Sequence, residues 1–162
     1  MFNQQSPFLQ KAPSVTFVML LVMVALLPGI LAYTFLFGIG VLLNLTIAIV
    51  TALFAEYFIL KIRNLPVKLF ITDGSAIVAS SLLAISIPTI APWWIIVIGT
   101  LFTIVVAKHL YGGLGSNLFN PAMVGYAVLL ISFPAIMTKW QLPASHLLDF
   151  NIAQQLEVFF YG

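Results

Sequence analysis

The chain has 162 residues, 62% hydrophobic and 6% charged, against roughly 45–50% and 25% in an ordinary soluble domain. Six basic and four acidic side chains cannot coat a water-soluble globule, whereas lipid solvates apolar faces directly, so the composition is that of an all-α integral membrane protein. The absence of cysteine excludes disulfides, thiolate metal sites and Cys-ligated iron–sulfur clusters, and a net charge of +2 is too small to argue for nucleic acid.

Residues 1–14 read as a short cytoplasmic N-terminus. The first apolar run, Val15 to Phe37, is long enough at 1.5 Å per residue to cover about 34 Å and cross a hydrocarbon core of about 30 Å. It exceeds the h-region of a signal peptide, and Ile30-Leu31-Ala32 lacks the small-x-small cleavage pattern. A second run, Val41 to Leu60, follows the Gly38-Ile39-Gly40 turn, which predicts an antiparallel helical hairpin. The segment from Lys61 to Lys68 supplies Lys61, Arg63 and Lys68. Beyond it, the apolar stretch from Ala76 to Val106 is interrupted by Pro88, Pro92, Trp93 and Trp94, which leaves two segments, Ala76 to Ile87 and Trp93 to Val106. At about 18 Å and 21 Å neither crosses the core unaided. They read either as broken helices of the kind that build midplane sites or as parts of a thin, tilted bundle. A fifth segment runs from Ala122 to Met137. In the tail, Leu148, Ile152, Leu156 and Phe159 recur at helical spacing, as in a short interfacial helix.

These runs predict a five-helix membrane domain over residues 15–137 and an extracytoplasmic tail over 138–162. With the N-terminus in the cytoplasm, Lys11, Lys61, Arg63, Lys68 and Lys108 fall inside and only Lys139 outside, as the positive-inside rule requires. Trp93 and Trp94 then stand at the outer interface.

The densest polar stretch is Lys108-His109-Leu110-Tyr111-Gly112-Gly113-Leu114-Gly115-Ser116-Asn117-Leu118-Phe119-Asn120-Pro121. Asn120 as N-cap and Pro121 at the first helical position would start the fifth helix. Gly112, Gly113, Gly115, Asn117 and Asn120 are also the candidate cofactor-binding residues, because glycines and carboxamides let backbone approach a ring or phosphate at a helix N-terminus. Glu56, one turn before the end of the second helix, is expected to snorkel to the headgroups or to Lys61 and Arg63. Asp73 is expected to cap the helix that begins near Ala76. Ala76, Ser80 and Ala84 form a small-residue stripe for helix packing. His109 is expected in the headgroup zone. With no Ser-His-Asp set, paired carboxylates or second metal ligand, no catalytic or metal residue is assigned.

Three stretches together resemble the NqrB/RnfD family, within it the RnfD (RsxD) branch, whose members belong to the Rnf ion-translocating oxidoreductase (electron transport) complex. They are Thr72-Asp73-Gly74-Ser75-Ala76 with Leu83-Ala84-Ile85-Ser86-Ile87-Pro88, then Ala91-Pro92-Trp93-Trp94, then the Lys108 to Tyr126 stretch. Ser6-Pro7 and Leu130-Ile131-Ser132-Phe133-Pro134 extend the resemblance over nearly the whole chain. It implies one five-helix half of a urea-transporter-like inverted-repeat bundle. It also implies a bacterial inner-membrane subunit, partnered by the other Rnf subunits, that passes electrons while Na⁺ or H⁺ is moved. Family members carry FMN joined to a threonine in a Ser/Thr-Gly-Ala-Thr motif. No threonine here is preceded by Gly-Ala, so no covalent FMN residue is assigned, and any flavin held by these residues would be non-covalent. The resemblance therefore suggests a chain truncated before the FMN-attachment region and second helical half: a fragment, an interrupted frame or a half that pairs with another. Two other functions stay open, half of a small-solute permease or channel and a structural membrane subunit.

Overall fold

The computed structural model describes residues 13–143 and 152–161, all of whose regular structure is helical. Ser6, Pro7, Lys11, Leu148 and Asp149 lie outside the described residues.

Helix α1, Val15–Phe37, starts where the Ser14 hydroxyl accepts the Phe17 N–H at 3.2 Å, a standard side-chain cap. It stops at Gly38, whose φ of 85° needs glycine. Two residues later α2, Gly40–Ile62, runs back, which is the expected hairpin. Both are long and apolar enough to cross a membrane. A five-residue helix α3, Val67–Ile71, leads to α4, Ser75–Ser86. Helix α5, Trp93–Leu101, continues without a break as a π-helix over Phe102–His109, extending the expected segment by three residues. Helix α6, Pro121–Ser132, opens on Asn120 and Pro121 as the sequence predicts: the Asn120 Oδ1 accepts the Ala122 N–H at 3.0 Å.

The fifth segment is not one helix. It breaks at Phe133 (φ −132°, ψ 52°) before the short α7, Pro134–Met137. Pro134 disfavours α geometry in the residue before it and has no N–H to continue the ladder. In the tail, α8, Ile152–Tyr161, lies against α2 with Phe159 buried.

Helix α4 packs chiefly on α2, and small residues meet there. Ala48, Ala52 and Ala55 of α2 and Ala76, Ser80 and Ala84 of α4 are all buried, so the small-residue stripe is a packing surface. A larger apolar cluster, with Leu83, Ile87, Ile95, Ile96 and Leu129, fills the space between α4, α5 and α6.

Contacts sort the bundle into two ends. At one end a built Cβ on Gly40 would lie 2.7 Å from the Thr89 carbonyl oxygen. There Asn44 Nδ2 donates to the Pro88 carbonyl at 3.4 Å, and Trp94 meets Phe133 edge-on at 5.2 Å. At the other end Met19, Ser75, Lys108, Asn120 and Pro121 line one cavity. Among the described residues, α1, α2, α4, α5 with its π-helix, and α6 each run between these two ends.

Candidate functional site

Glu56 does not snorkel. It is fully buried on the inner face of α2, and its Oε1 is ion-paired with the buried Lys108 ammonium. Lys61 instead lies 5.8 Å from the Tyr57 ring centre, and Arg63 donates to the His109 carbonyl oxygen at 2.9 Å. The physical reason is that α2 packs against α4 and the π-helix with Glu56 on its inner face, where Lys108 supplies the opposite charge that a carboxylate needs once it is out of water. His109 is corrected with it: the ring is buried beside the pair, Nε2 3.5 Å from Glu56 Oε1, not in the headgroup zone.

The pair continues outward. Lys108 Nζ also donates to the Ser75 hydroxyl at 2.7 Å, and that hydroxyl donates to Asp73 Oδ1 at 2.5 Å. Asp73 accepts the Ser75 backbone N–H at 2.7 Å as well. Its carboxylate thus serves the first turn of α4 as the sequence predicts, but from one position further out: Gly74, at φ 79°, occupies the N-cap itself. A hydrogen-bonded file therefore runs from the half-buried Asp73 through Ser75 and Lys108 to Glu56.

Beside this file is a cavity of about 280 Å³. Its walls are apolar residues of α1 and α4 (Met19, Val78, Ala79, Leu82), and its polar groups come from Ser75, Lys108, Asn117 and Asn120. Of the five candidate cofactor residues, only Asn117 and Asn120 line it. The three glycines shape the loop: Gly112, Gly113 and Gly115 have φ of 115°, 104° and 90°. Asn117 braces the loop by accepting the Gly115 N–H at 3.2 Å and donating to the Phe119 carbonyl at 3.1 Å. The Gly113 and Gly112 N–H groups bind the last carbonyls of the π-helix, those of Lys108 and His109, at 3.0 and 3.1 Å.

The volume lies at the lower edge of the range for ligand sites, which suits one fused ring system rather than a whole dinucleotide. Among the described residues no group of three or more His, Asp or Glu is placed to hold a metal ion. Sequence reasoning missed Ser75 and the Glu56–Lys108 pairing. The available signal was charge balance: one acid and one base, each next to an apolar run, in a chain with very few charges.

An apolar helical bundle with a buried ion pair beneath a glycine-rich loop defines a helical membrane protein with an internal polar site. The chain belongs to the NQR2, RnfD, RnfE family, which matches residues 2–159. It is similar to proteins named as the D-type subunit of an ion-translocating oxidoreductase complex. The Yersinia pseudotuberculosis serotype O:1b protein is 55% identical over 138 residues, 85% of this chain and 39% of that protein. The Aliivibrio salmonicida protein is 52% identical over 152 residues (94% and 43%), and the Psychromonas ingrahamii protein 48% over 162 residues (99% and 46%). The chain thus spans less than half the length of these relatives.

Proposed function

We propose that this chain forms the first half of the RnfD component of a membrane complex that couples electron transfer to Na⁺ or H⁺ movement across the bacterial inner membrane, where it meets the other subunits of that complex. The observation that carries this reading is the similarity along nearly the whole chain to D-type subunits of ion-translocating oxidoreductase complexes. In this reading the five passes are five membrane crossings with the N-terminus in the cytoplasm, and the cavity end faces the cytoplasm. The basic residues Lys61, Arg63 and Lys68 support that orientation. Reporter fusions at Arg63 and Lys139 are expected to report opposite sides of the membrane. The same side for both would refute five crossings.

The cavity is the proposed seat of a non-covalently held flavin. Lys108, Ser75, Asn117 and Asn120 would hold the polar edge, while Met19, Val78, Ala79 and Leu82 would keep water from its faces. A bound flavin supplies one- and two-electron transfer, and the protein supplies position and electrostatics. Valine at Gly113 or Gly115 forces a β-branched residue into the left-handed region, a cost of about 1–3 kcal/mol. Gly113→Val and Gly115→Val are therefore expected to lower bound flavin, read as absorbance of the purified membrane complex, more than they lower membrane insertion. Equal losses would make the loop a structural turn only.

A further inference from the structure

Phe102–His109 is wound as a π-helix for all eight of its residues, whereas π geometry usually occurs as a single-turn bulge. The burial pattern shows what this winding achieves. Thr103, Ile104, Ala107, Lys108 and His109 are buried, while Leu101, Phe102, Val105 and Leu110 are exposed. In an α-helix each residue turns about 100°, so Lys108 would stand about 140° around the axis from Thr103, at the edge of the buried face, and His109 about 120° from Thr103 on the other side, among the exposed residues. Leu110 would come within about 20° of Thr103. In the π register, residues five apart are bonded neighbours, as in the 3.1 Å bond from the Leu110 N–H to the Val105 carbonyl, so Thr103 and Lys108 share one face.

We infer that Glu56, assisted by Ser75, is a positioning residue for the cavity: by holding Lys108 it keeps Phe102–His109 in the π register and so aims the loop that carries Asn117 and Asn120. Lys108 makes two side-chain bonds, to Glu56 and Ser75, and an α register would turn it away from both. The loop follows the register because Gly112 and Gly113 are bonded to the last two carbonyls of the π-helix. Arg63, from the end of α2, binds the His109 carbonyl and fastens the same terminus to the helix that carries Glu56. When the ammonium is released, the segment relaxes to α geometry. Lys108 then leaves the cavity wall, Leu110 turns inward, and Asn117 and Asn120 lose their aim. The functional meaning of the cavity rests on the flavin reading, whereas the register does not.

The chain has no cysteine, so one spin label can be placed on a Leu110→Cys variant of the full chain in lipid nanodiscs. Leu110 is 71% exposed, and its label is expected to be mobile. Adding Glu56→Gln or Lys108→Met is expected to immobilise it, while a label at Leu31, on the exposed face of α1, stays mobile. The double variant Glu56→Gln/Lys108→Met, which leaves no unpaired buried charge, is expected to immobilise the Leu110 label as well, separating register from stability. A label at Leu110 that stays mobile in all three would overturn the inference. The label reads the register without any ligand, so finding no flavin in the native protein would undo the cofactor reading alone.

Discussion

Replacing Lys108 by methionine is expected to destabilise the bundle by about 3–5 kcal/mol, the usual cost of leaving one member of a buried ion pair alone. Glu56 is fully buried, and its second oxygen, Oε2, has no partner among the described residues, so its direct charge partner is lost once the ammonium is gone. His109, at 3.5 Å, is too far to replace a direct ammonium contact. Glu56→Gln alone should cost a comparable amount for the opposite reason, since it strands the ammonium. The double variant should recover most of the loss, because neutral replacements of a buried pair are often close to neutral in stability. Unfolding in mixed micelles, followed by tryptophan fluorescence, measures all three. A Lys108→Met variant within about 1 kcal/mol of the native chain would mean that the pair contributes little.

Gly125→Ala is expected to cost about 1–3 kcal/mol, or more, although it adds a single methyl group. A Cβ built at Gly125 would overlap the Thr103 hydroxyl and lie 2.8 Å from the Gly99 carbonyl oxygen. One obstacle is backbone, so α6 must move away from α5 and the π-helix to make room. Gly99→Ala should be milder. Its Cβ would meet the Leu129 and Leu83 side chains, which can rotate at some packing cost. Because Thr103 begins the buried face of the π-helix, moving α6 should also disturb the cavity end. Thermal unfolding of the two variants side by side tests the order. Equal losses would mean that the crossing at Gly125 is slack.

Much of the fold is legible in the sequence because its determinants are local. Val15–Phe37 can be read to the residue, since an apolar run bounded by Ser14 and Gly38 carries both its length and its stops. Asn120 and Pro121 announce the start of α6 for the same reason. The break at Phe133 is local too, signalled by Pro134, but the continuous apolar pattern masks it. The Glu56–Lys108 pair is not legible. Its members are 52 positions apart and meet only because α2 and the π-helix pack against each other at one end of the bundle. Read alone, each charge near a helix end looks like a residue reaching for water, and hydropathy carries no record of a distant counter-charge. The π register is hidden for a related reason: it is favoured by contacts to Glu56, Ser75 and Arg63, none of them within the segment. The sequence by itself therefore determined the apolar helical character of the chain, the bounds of α1, the start of α6 and the loop that borders the cavity. Only the tertiary structure decided which charges are buried, because pairing in a low-dielectric interior depends on distance in space and not along the chain.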